Sequence, residues 1–512
     1  MPDGPVTTLK RSIAQVAELL DAHWPALFAL FALVVALWAQ TDAMVGVFFD
    51  DGIYVSLAKA LAEGEGYRSI HLPGAPFAVH YPPLYPALLS ALWTLWPSFP
   101  ANVTLFQLCD SLLFAGAAWV IAAHARRTAL PLATQGVALV LAVTAFPLLT
   151  LRGVRFSEPL FLLLFAGAIA VADGERESVA RGACAGLLAG LATLARSIGV
   201  VAVVGIPVAL WLRGRRKAAV VALAAGILVA APWFGWLAAH AGAIDPRIAS
   251  NYGTYGQFAG QAGLGSLFAG LNLQALSPIP RLLLPALPTL VAAPLILMLI
   301  AVLVLGAVSL ARRTPALIVV LVPYVVVVSL WPYTPDRFVW IILPWIALLG
   351  AAGAHRAWRW RWPVRAALLV LAAGVMIAYG RREGRSLAGR QFTKTATEAS
   401  LPFRLLTSGI ASGTPEDAVL ASDGEALVYL YTGRRTAPLF LSRLQGRSVE
   451  PLGTDAVARY LCENGVTHVA ASVSVGEASP VLEGLAAAGD STLVPLFVVT
   501  DGPALYRYRC PS

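Results

Sequence analysis

The chain has 512 residues, 58% of them hydrophobic and 13% charged, with a mean hydropathy of +0.72. Those values exclude a water-soluble chain and call for a polytopic membrane protein. Its formal charge of +9 rests on 33 Arg against 4 Lys; in a soluble protein this surplus would suggest nucleic acid, but here it distributes as membrane topology requires, which removes that reading.

The segment before Trp24 mixes Lys10, Arg11, Glu18 and Asp21, and the apolar run behind it is long for a signal-peptide core, so it reads as an uncleaved anchor. Apolar stretches near the length that crosses the bilayer core recur at 24–41, 103–123, 131–150, 157–172, 182–196, 198–212, 218–239, 286–310, 315–331, 337–353 and 364–380, eleven in all. With a cytoplasmic N-terminus the inner loops carry Arg126 and Arg127, Arg176 and Arg181, Arg213 to Lys217, Arg312 and Arg313, and Arg356 to Arg365. That satisfies the positive-inside rule at every inner loop. The pair 182–196 and 198–212 is short for two crossings, and the basic loops flanking it belong to one compartment, so it predicts a tight helical hairpin tipped by Arg196-Ser197. One long tilted helix would place RGRRK on the outer side instead.

The first outer loop, 42–102, opens with two adjacent carboxylates, Asp50 and Asp51. Ile53, Leu57 and Leu61 follow at helical spacing, which predicts a short amphipathic helix lying in the interface with the carboxylates at headgroup depth. The loop then passes Tyr67, Arg68, His71 and His80 to Pro82, Pro83 and Pro86, where prolines stiffen the backbone. Tyr54 and Tyr81 are the loop's candidates for substrate contact. An acidic loop start is by itself also what a solvated lumenal loop would show.

Further ionisable residues collect at outer span ends: Arg152, Arg155 and Glu158, then Arg196, then Asp336 and Arg337 in WPYTPDRF. Outer arginines run against the topological bias and ask for a reason. They either pair with Asp50, Asp51 or Glu158, or form a phosphate clamp, for which the guanidinium fork is suited, and the two roles are compatible. Asp110 lies inside the second span, where hydrogen bonding to a neighbouring helix is the favoured reading.

The chain to 383 forms the membrane part, and a soluble α/β domain, expected outside the cytoplasm, occupies 384–512. There AVLAS, ALVYLYTG, THVAASV and TLVPLFVVT read as extended, TDAVARYLCENG and SPVLEGLAAAG as helical, and DGP as the turn between the last two extended segments. Cys109 and Cys184 fall inside spans; Cys462 and Cys510 share the domain on the oxidising side, where a disulfide is permitted but not selected by sequence. No CxxC, HExxH, Walker A or GxGxxG motif occurs. A divalent cation at Asp50 and Asp51 rests on two adjacent carboxylates alone, and no other metal site is expected.

The acidic pair, the PPL segment, RFSEPLF, LATLARSIG, APWFGW and YTPDRFVWIILP, in that order, resemble the GT-C glycosyltransferases over residues 20–380. The resemblance is to the bacterial branch related to protein O-mannosyltransferases and the aminoarabinose transferase of lipid A. It implies a bacterial inner-membrane enzyme moving a sugar from a polyprenyl-phosphate donor to an acceptor on the non-cytoplasmic face. By that resemblance Asp50 is the general base, Asp51 its helper and Glu158 the second acidic position, while Arg196, Arg337 and then Arg155 bind the donor phosphate. Members similar to the aminoarabinose transferase carry Glu-Lys before the paired prolines, where this chain has His80-Tyr81, so His80 or an arginine stands in for the missing lysine. A single base implies inversion at the anomeric carbon. The rival readings are a transporter or flippase for a lipid-linked sugar, and an inactive relative acting as an assembly partner. Against the first, the polar residues gather at one face and no repeat of the Asp50 region occurs.

Overall fold

The computed structural model describes residues 5–257, 276–284, 288–330, 335–445, 448–473, 478–489 and 492–511. The helical part begins with α1 (Pro5–Trp38), α2 (Asp50–Ala62), α3 (Leu84–Leu95), α4 (Val103–Ala125), α5 (Leu132–Thr144), α6 (Phe146–Gly153), α7 (Glu158–Ala172) and α8 (Val179–Ala195). It continues through α9 (Val200–Leu212), α10 (Arg216–His240), α11 (Ala249–Tyr252), α12 (Pro278–Leu283), α13 (Thr289–Leu310), α14 (Pro315–Ser329), α15 (Asp336–Ile341), α16 (Leu343–Ala357) and α17 (Trp362–Gly389).

Among the described residues five helices are long and apolar enough to span a membrane, and α5 with α6 makes a sixth if that pair, bent by 51°, counts as one. Five shorter apolar helices supply further stretches, so length and composition establish five or six spans, where eleven were expected from the sequence. Four of the expected stretches form shorter apolar helices, α7, α8, α9 and α14, and others are interrupted by helix breaks that hydropathy does not register. Pro147 starts a new helix because it brings no N–H to continue the old one. Arg196, extended at φ −150° and ψ 133°, ends α8 before α9 begins, so the expected pair of helices is present with Arg196 at the break. Pro344 likewise opens α16 directly behind α15. The WPYT stretch, 331–334, lies outside the described residues.

Small residues let the helices close up. A Cβ on Gly186 would stand 2.1 Å from the Ala222 carbonyl oxygen, so α8 and α10 touch backbone to backbone. At the end of the bundle remote from the strands, Asp173 accepts the Ala316 N–H at 2.8 Å and bonds His124 Nε2 at 2.9 Å, joining α4, α7 and α14.

Helix α18 (Gln391–Gly413) follows α17 through Arg390, whose φ of 47° turns the chain. It buries Leu406 and Ile410 against the strands. These are β1 (Leu420–Ser422), β2 (Thr436–Pro438), β3 (Ser442–Gln445), β4 (Ser448–Pro451), β5 (His468–Ala471), β6 (Leu493–Val498) and β7 (Ala504–Tyr508), with α19 (Glu425–Thr432), α20 (Thr454–Glu463) and α21 (Ala478–Ala487) between them. The main sheet runs β2-β1-β5-β7-β6, the first three strands parallel and β7 antiparallel to both neighbours, while β3 and β4 form a separate hairpin. AVLAS, THVAASV and TLVPLFVVT contribute strands as expected, and the two helical patterns form α20 and α21. ALVYLYTG does not: it is α19, closed by Gly433 at φ 76°, a left-handed C-cap that suits glycine. Cys462 and Cys510 are bonded, their Cα atoms 5.6 Å apart.

A second correction concerns α2. An interfacial helix should leave one face in the headgroups, but Ile53 to Ala58 are all buried. The covering face comes from α3 on one side and α19 on the other. A Cβ on Gly46 would meet the Leu427 Cβ at 2.6 Å, and one on Gly52 would meet Ala426 Cβ at 3.1 Å, so glycine is what lets α19 seat there. Amphipathic spacing reads one buried face; it is blind to a second cover contributed nearly 400 residues later in the chain.

Candidate active site

Asp50 is the first residue of α2 and follows Phe49, whose φ of 65° is a left-handed conformation that costs a non-glycine residue about 1–3 kcal/mol. The kink turns Asp50 away from the loop and onto two donors. Tyr81 donates its hydroxyl to Oδ1 at 2.6 Å, and Arg337 donates Nη1–H to Oδ2 at 2.5 Å. Burial pushes the carboxyl up, but the Arg337 charge, the Tyr81 hydroxyl and the Arg196 charge outweigh it and hold Asp50 below the usual carboxylate range.

Arg337, on the first turn of α15, spans two carboxylates. Its Nε–H donates to Glu158 Oε1 at 2.8 Å while Nη1 holds Asp50. Arg196 reaches the same Glu158 oxygen at 2.8 Å from the break between α8 and α9. Glu158, the first residue of α7 and 3% exposed, therefore sits behind both guanidiniums and sets their positions. Each arginine also lies over an aromatic ring, Arg337 on Phe156 at 3.6 Å and Arg196 near Phe338 at 4.9 Å.

His80 bonds the Gly253 carbonyl through Nδ1 at 2.6 Å, so Nδ1 carries the proton. Burial lowers its pKa despite that bond and the Asp50 charge, which disfavours the charged form that would replace a lysine. Tyr54 shares a hydrogen bond with Ser157 at 3.0 Å and packs edge-on against Tyr81, their centroids 4.8 Å apart.

The segment that receives His80 is held by the strand-bearing part of the chain. Tyr252 donates to Glu425 at 2.6 Å, His71 Nε2 bonds the Tyr252 hydroxyl at 3.1 Å, Ser250 meets Ser442 at 2.7 Å, and Arg247 pairs with Glu463 at 2.6 Å. Burial pushes the Glu425 carboxyl up to about 7, the Tyr252 hydrogen bond only partly opposing it. A carboxyl raised from its ordinary 4.5 costs nothing below that value and destabilises the fold progressively as pH rises through 7, by about 3 kcal/mol in the limit. The melting temperature of the wild type is therefore expected to fall between pH 5 and pH 8 more steeply than that of Glu425→Gln; equal slopes would show that Glu425 does not titrate in this window.

Asp50, Tyr54, His80, Tyr81, Arg196 and Arg337 open together on a cavity of about 770 Å³. Val200, Trp233, Phe234, Leu237, Val327 and Val328 give the same cavity apolar lining, and Ser250, Asn251 and Thr254 add polar groups. The cavity thus combines positive charge and a carboxylate with hydrocarbon contact. The APWFGW motif holds two of these wall residues; the aromatics one position apart were legible, their facing the cavity was not.

The other candidates lie elsewhere. Asp51 turns back into its own loop, accepting the N–H of Gly46 at 2.7 Å and of Phe48 at 3.1 Å, and burial with the Asp50 charge brings its pKa up to about 6. Arg155 is buried against Asp110 at 3.7 Å and donates to Gln40 at 2.8 Å, outside the cavity. Asp110 also accepts from Tyr85 of α3 at 3.0 Å, the interhelical bonding expected of it. Arg152 donates to the Val143 carbonyl at 2.7 Å. The Asp50 and Asp51 carboxylates diverge and are both occupied by protein donors, and no cluster of three or more His, Cys, Asp or Glu occurs among the described residues.

No family model matches the sequence, and no curated protein does. Solved structures match. ArnT from Cupriavidus metallidurans in the apo state superposes with a TM-score of 0.55 at 14% identity, covering 95% of this chain and 98% of that one. The same protein bound to undecaprenyl phosphate gives 0.53 at 15% identity over 94% and 97%. The archaeal oligosaccharyltransferase AglB from Archaeoglobus fulgidus, in complex with an inhibitory peptide and a dolichol-phosphate, gives 0.55 at 12% identity over 89% of this chain and 70% of that one. The motif order read from the sequence and the whole-chain superposition therefore agree on one architecture, the GT-C fold of ArnT and AglB.

Proposed function

We propose that this chain is a membrane glycosyltransferase that takes a sugar from a polyprenyl-phosphate carrier and passes it to an acceptor hydroxyl or similar nucleophile. The observation that carries the reading is one cavity whose lining joins an ionised carboxylate and two arginines to apolar side chains. That combination suits a ligand with a phosphate between a polar sugar and a hydrocarbon tail. The undecaprenyl phosphate in the ArnT structure and the dolichol-phosphate in the AglB complex support the same ligand class.

In this reading the acceptor oxygen forms a bond to the anomeric carbon as the carbon–oxygen bond to phosphate breaks. The acceptor proton goes to Asp50, and the electron pair leaves on the polyprenyl phosphate. Arg196 and Arg337 stabilise the charge that grows on the leaving phosphate, and Glu158 keeps both guanidiniums preorganised. Attack opposite the phosphate inverts the anomeric centre. Arg337 serves two anions in turn: when it moves from Asp50 to the phosphate, Asp50 loses its main counter-charge and becomes the stronger base. The site faces the non-cytoplasmic side in a bacterial inner membrane, with the strand-bearing domain outside.

The test gives the purified full chain a panel of polyprenyl-phosphate sugars together with a membrane extract. Transfer of one sugar, with release of polyprenyl phosphate, is the expected result. A panel in which no carrier binds and none is consumed would overturn the reading.

A further inference from the structure

A second polar pocket, of about 340 Å³, lies between α12, α15 and α17 on the side of the bundle that carries the strands. It shares no lining residue with the Asp50 cavity, although α15 serves both, giving Arg337 to the cavity and Asp336 and Trp340 to the pocket. Arg281 and Arg382 stand in its wall and are tied together, Arg382 donating to the Arg281 carbonyl while Arg281 donates to the Ser277 hydroxyl. Ser386 lines it too, 1% exposed, with a hydroxyl that has no hydrogen-bond partner. Buried hydroxyls are rarely left unmatched, so this one asks for a partner from the pocket. Asp336 of α15 is the pocket's carboxylate; Glu383, on α17 with Arg382 and Ser386, turns aside to accept the Phe146 N–H at 2.6 Å.

The pocket continues into hydrocarbon surface. Leu282 belongs both to it and to a groove of about 630 Å³ between α5, α13, α16 and α17. Tyr379 of the groove precedes Arg382 by one helical turn, so polar pocket and apolar groove are successive stretches of one face. Along α5 the groove extends from Ala133 to Ala145, roughly 18 Å at the helical rise, a length suited to an acyl chain. Leu369 and Met376 on its α17 wall are 57% and 60% exposed. Arg381, Arg382 and Arg385 follow directly on the apolar stretch of α17, which sets them at headgroup depth.

We propose that pocket and groove form a binding site for an anionic two-chain phospholipid of the bilayer, separate from the Asp50 cavity. The phosphodiester lies between Arg281 and Arg382, the Ser386 hydroxyl donates to a headgroup oxygen, and one acyl chain fills the groove. Guanidinium pairs match phosphate oxygens, and a lipid carrying net negative charge complements the arginines on this turn of α17 where a zwitterionic one does not.

The test uses the full chain in mild detergent with phosphatidylglycerol or phosphatidylcholine of identical chains, and reads retained lipid by native mass spectrometry. The wild type is expected to retain phosphatidylglycerol at least about fivefold better, and Arg281→Gln with Arg382→Gln to remove that preference, as loss of charge-assisted contacts should. Gly350→Leu fills the groove without touching either arginine, since a Cβ there has nothing nearer than Leu303 at 3.9 Å. It is expected to lower retention of both lipids, and it carries the test if the double variant does not purify. Equal retention of the two lipids by the wild type, or unchanged preference in the double variant, overturns the site. So does polyprenyl phosphate displacing phosphatidylglycerol in a manner that depends on Arg281 and Arg382, because the pocket would then belong to the carrier.

Discussion

Asp50→Asn is expected to lower sugar transfer by about 10²–10⁴-fold, the range over which a positioned general base contributes, while leaving polyprenyl-phosphate affinity nearly unchanged. The replacement keeps shape and polarity: the amide oxygen still accepts from Tyr81, which holds Oδ1 at 2.6 Å in the wild type. What it removes is the acceptor lone pair with proton affinity and the negative charge opposite Arg337. The amide nitrogen would face Arg337 donor to donor, so the guanidinium should turn wholly to Glu158 and to phosphate, which favours carrier binding if it alters it at all. The loss must therefore appear in kcat and not in KM. Tyr81→Phe is the companion measurement. Removing its hydroxyl takes away one of the bonds that lowers the Asp50 pKa, so the acid limb of the rate profile, where Asp50 loses its proton, should move to higher pH with transfer retained. Transfer unchanged in Asp50→Asn would remove Asp50 from the chemistry.

Much of the site was legible because charge is conspicuous against an apolar background. Asp50, Arg196 and Arg337 stood out as ionisable residues at one membrane face, and the structure brings these three to a single cavity from α2, the α8–α9 break and α15. Arg155 stood out for the same reason and yet lies outside it. Sequence position fixes roughly how deep an arginine lies but not which way its side chain turns, and Arg155 is drawn inward by Asp110 and Gln40. Depth without direction also explains Glu158, which supports the arginines from behind and does not line the cavity. The long-range partners were out of reach altogether. Nothing local marks Glu425 as the acceptor for Tyr252, 173 positions earlier, or shows that α19 closes over α2. ALVYLYTG carries β-branched and aromatic residues that favour a strand, and packing of Leu427 and Val428 into the core decided for helix over propensity.

Arg337→Ala is expected to abolish detectable transfer and to weaken polyprenyl-phosphate binding, because one side chain supplies the phosphate contact and organises both carboxylates. Loss of a preorganised charge at a developing anion costs about 10²–10³-fold in rate on its own. The truncation also leaves Asp50 and Glu158 with one strong donor fewer each. Breaking a buried pair in this way costs about 3–5 kcal/mol when nothing replaces the lost partner. Here Glu158 keeps Arg196 and Asp50 keeps Tyr81, so about 2–3 kcal/mol is the expected loss of stability. The pH dependence separates this from general damage. With Arg337 present the Asp50 pKa is depressed, so the pair stabilises the fold above the ordinary carboxylate pKa and the gain is lost as pH falls through the lowered one. Without Arg337, burial dominates and the Asp50 pKa rises, so the variant should lose least stability in acid and most near neutrality. Arg337→Lys restores a charge but not the fork that grips Asp50 through Nη1 and Glu158 through Nε, and it should recover stability more fully than rate. Denaturation of the three proteins at pH 3 and pH 7.5, on either side of the ordinary carboxylate value of 3.8, checks the sign. A stability deficit in Arg337→Ala that is the same at both values would mean that Asp50 and Arg337 are not coupled.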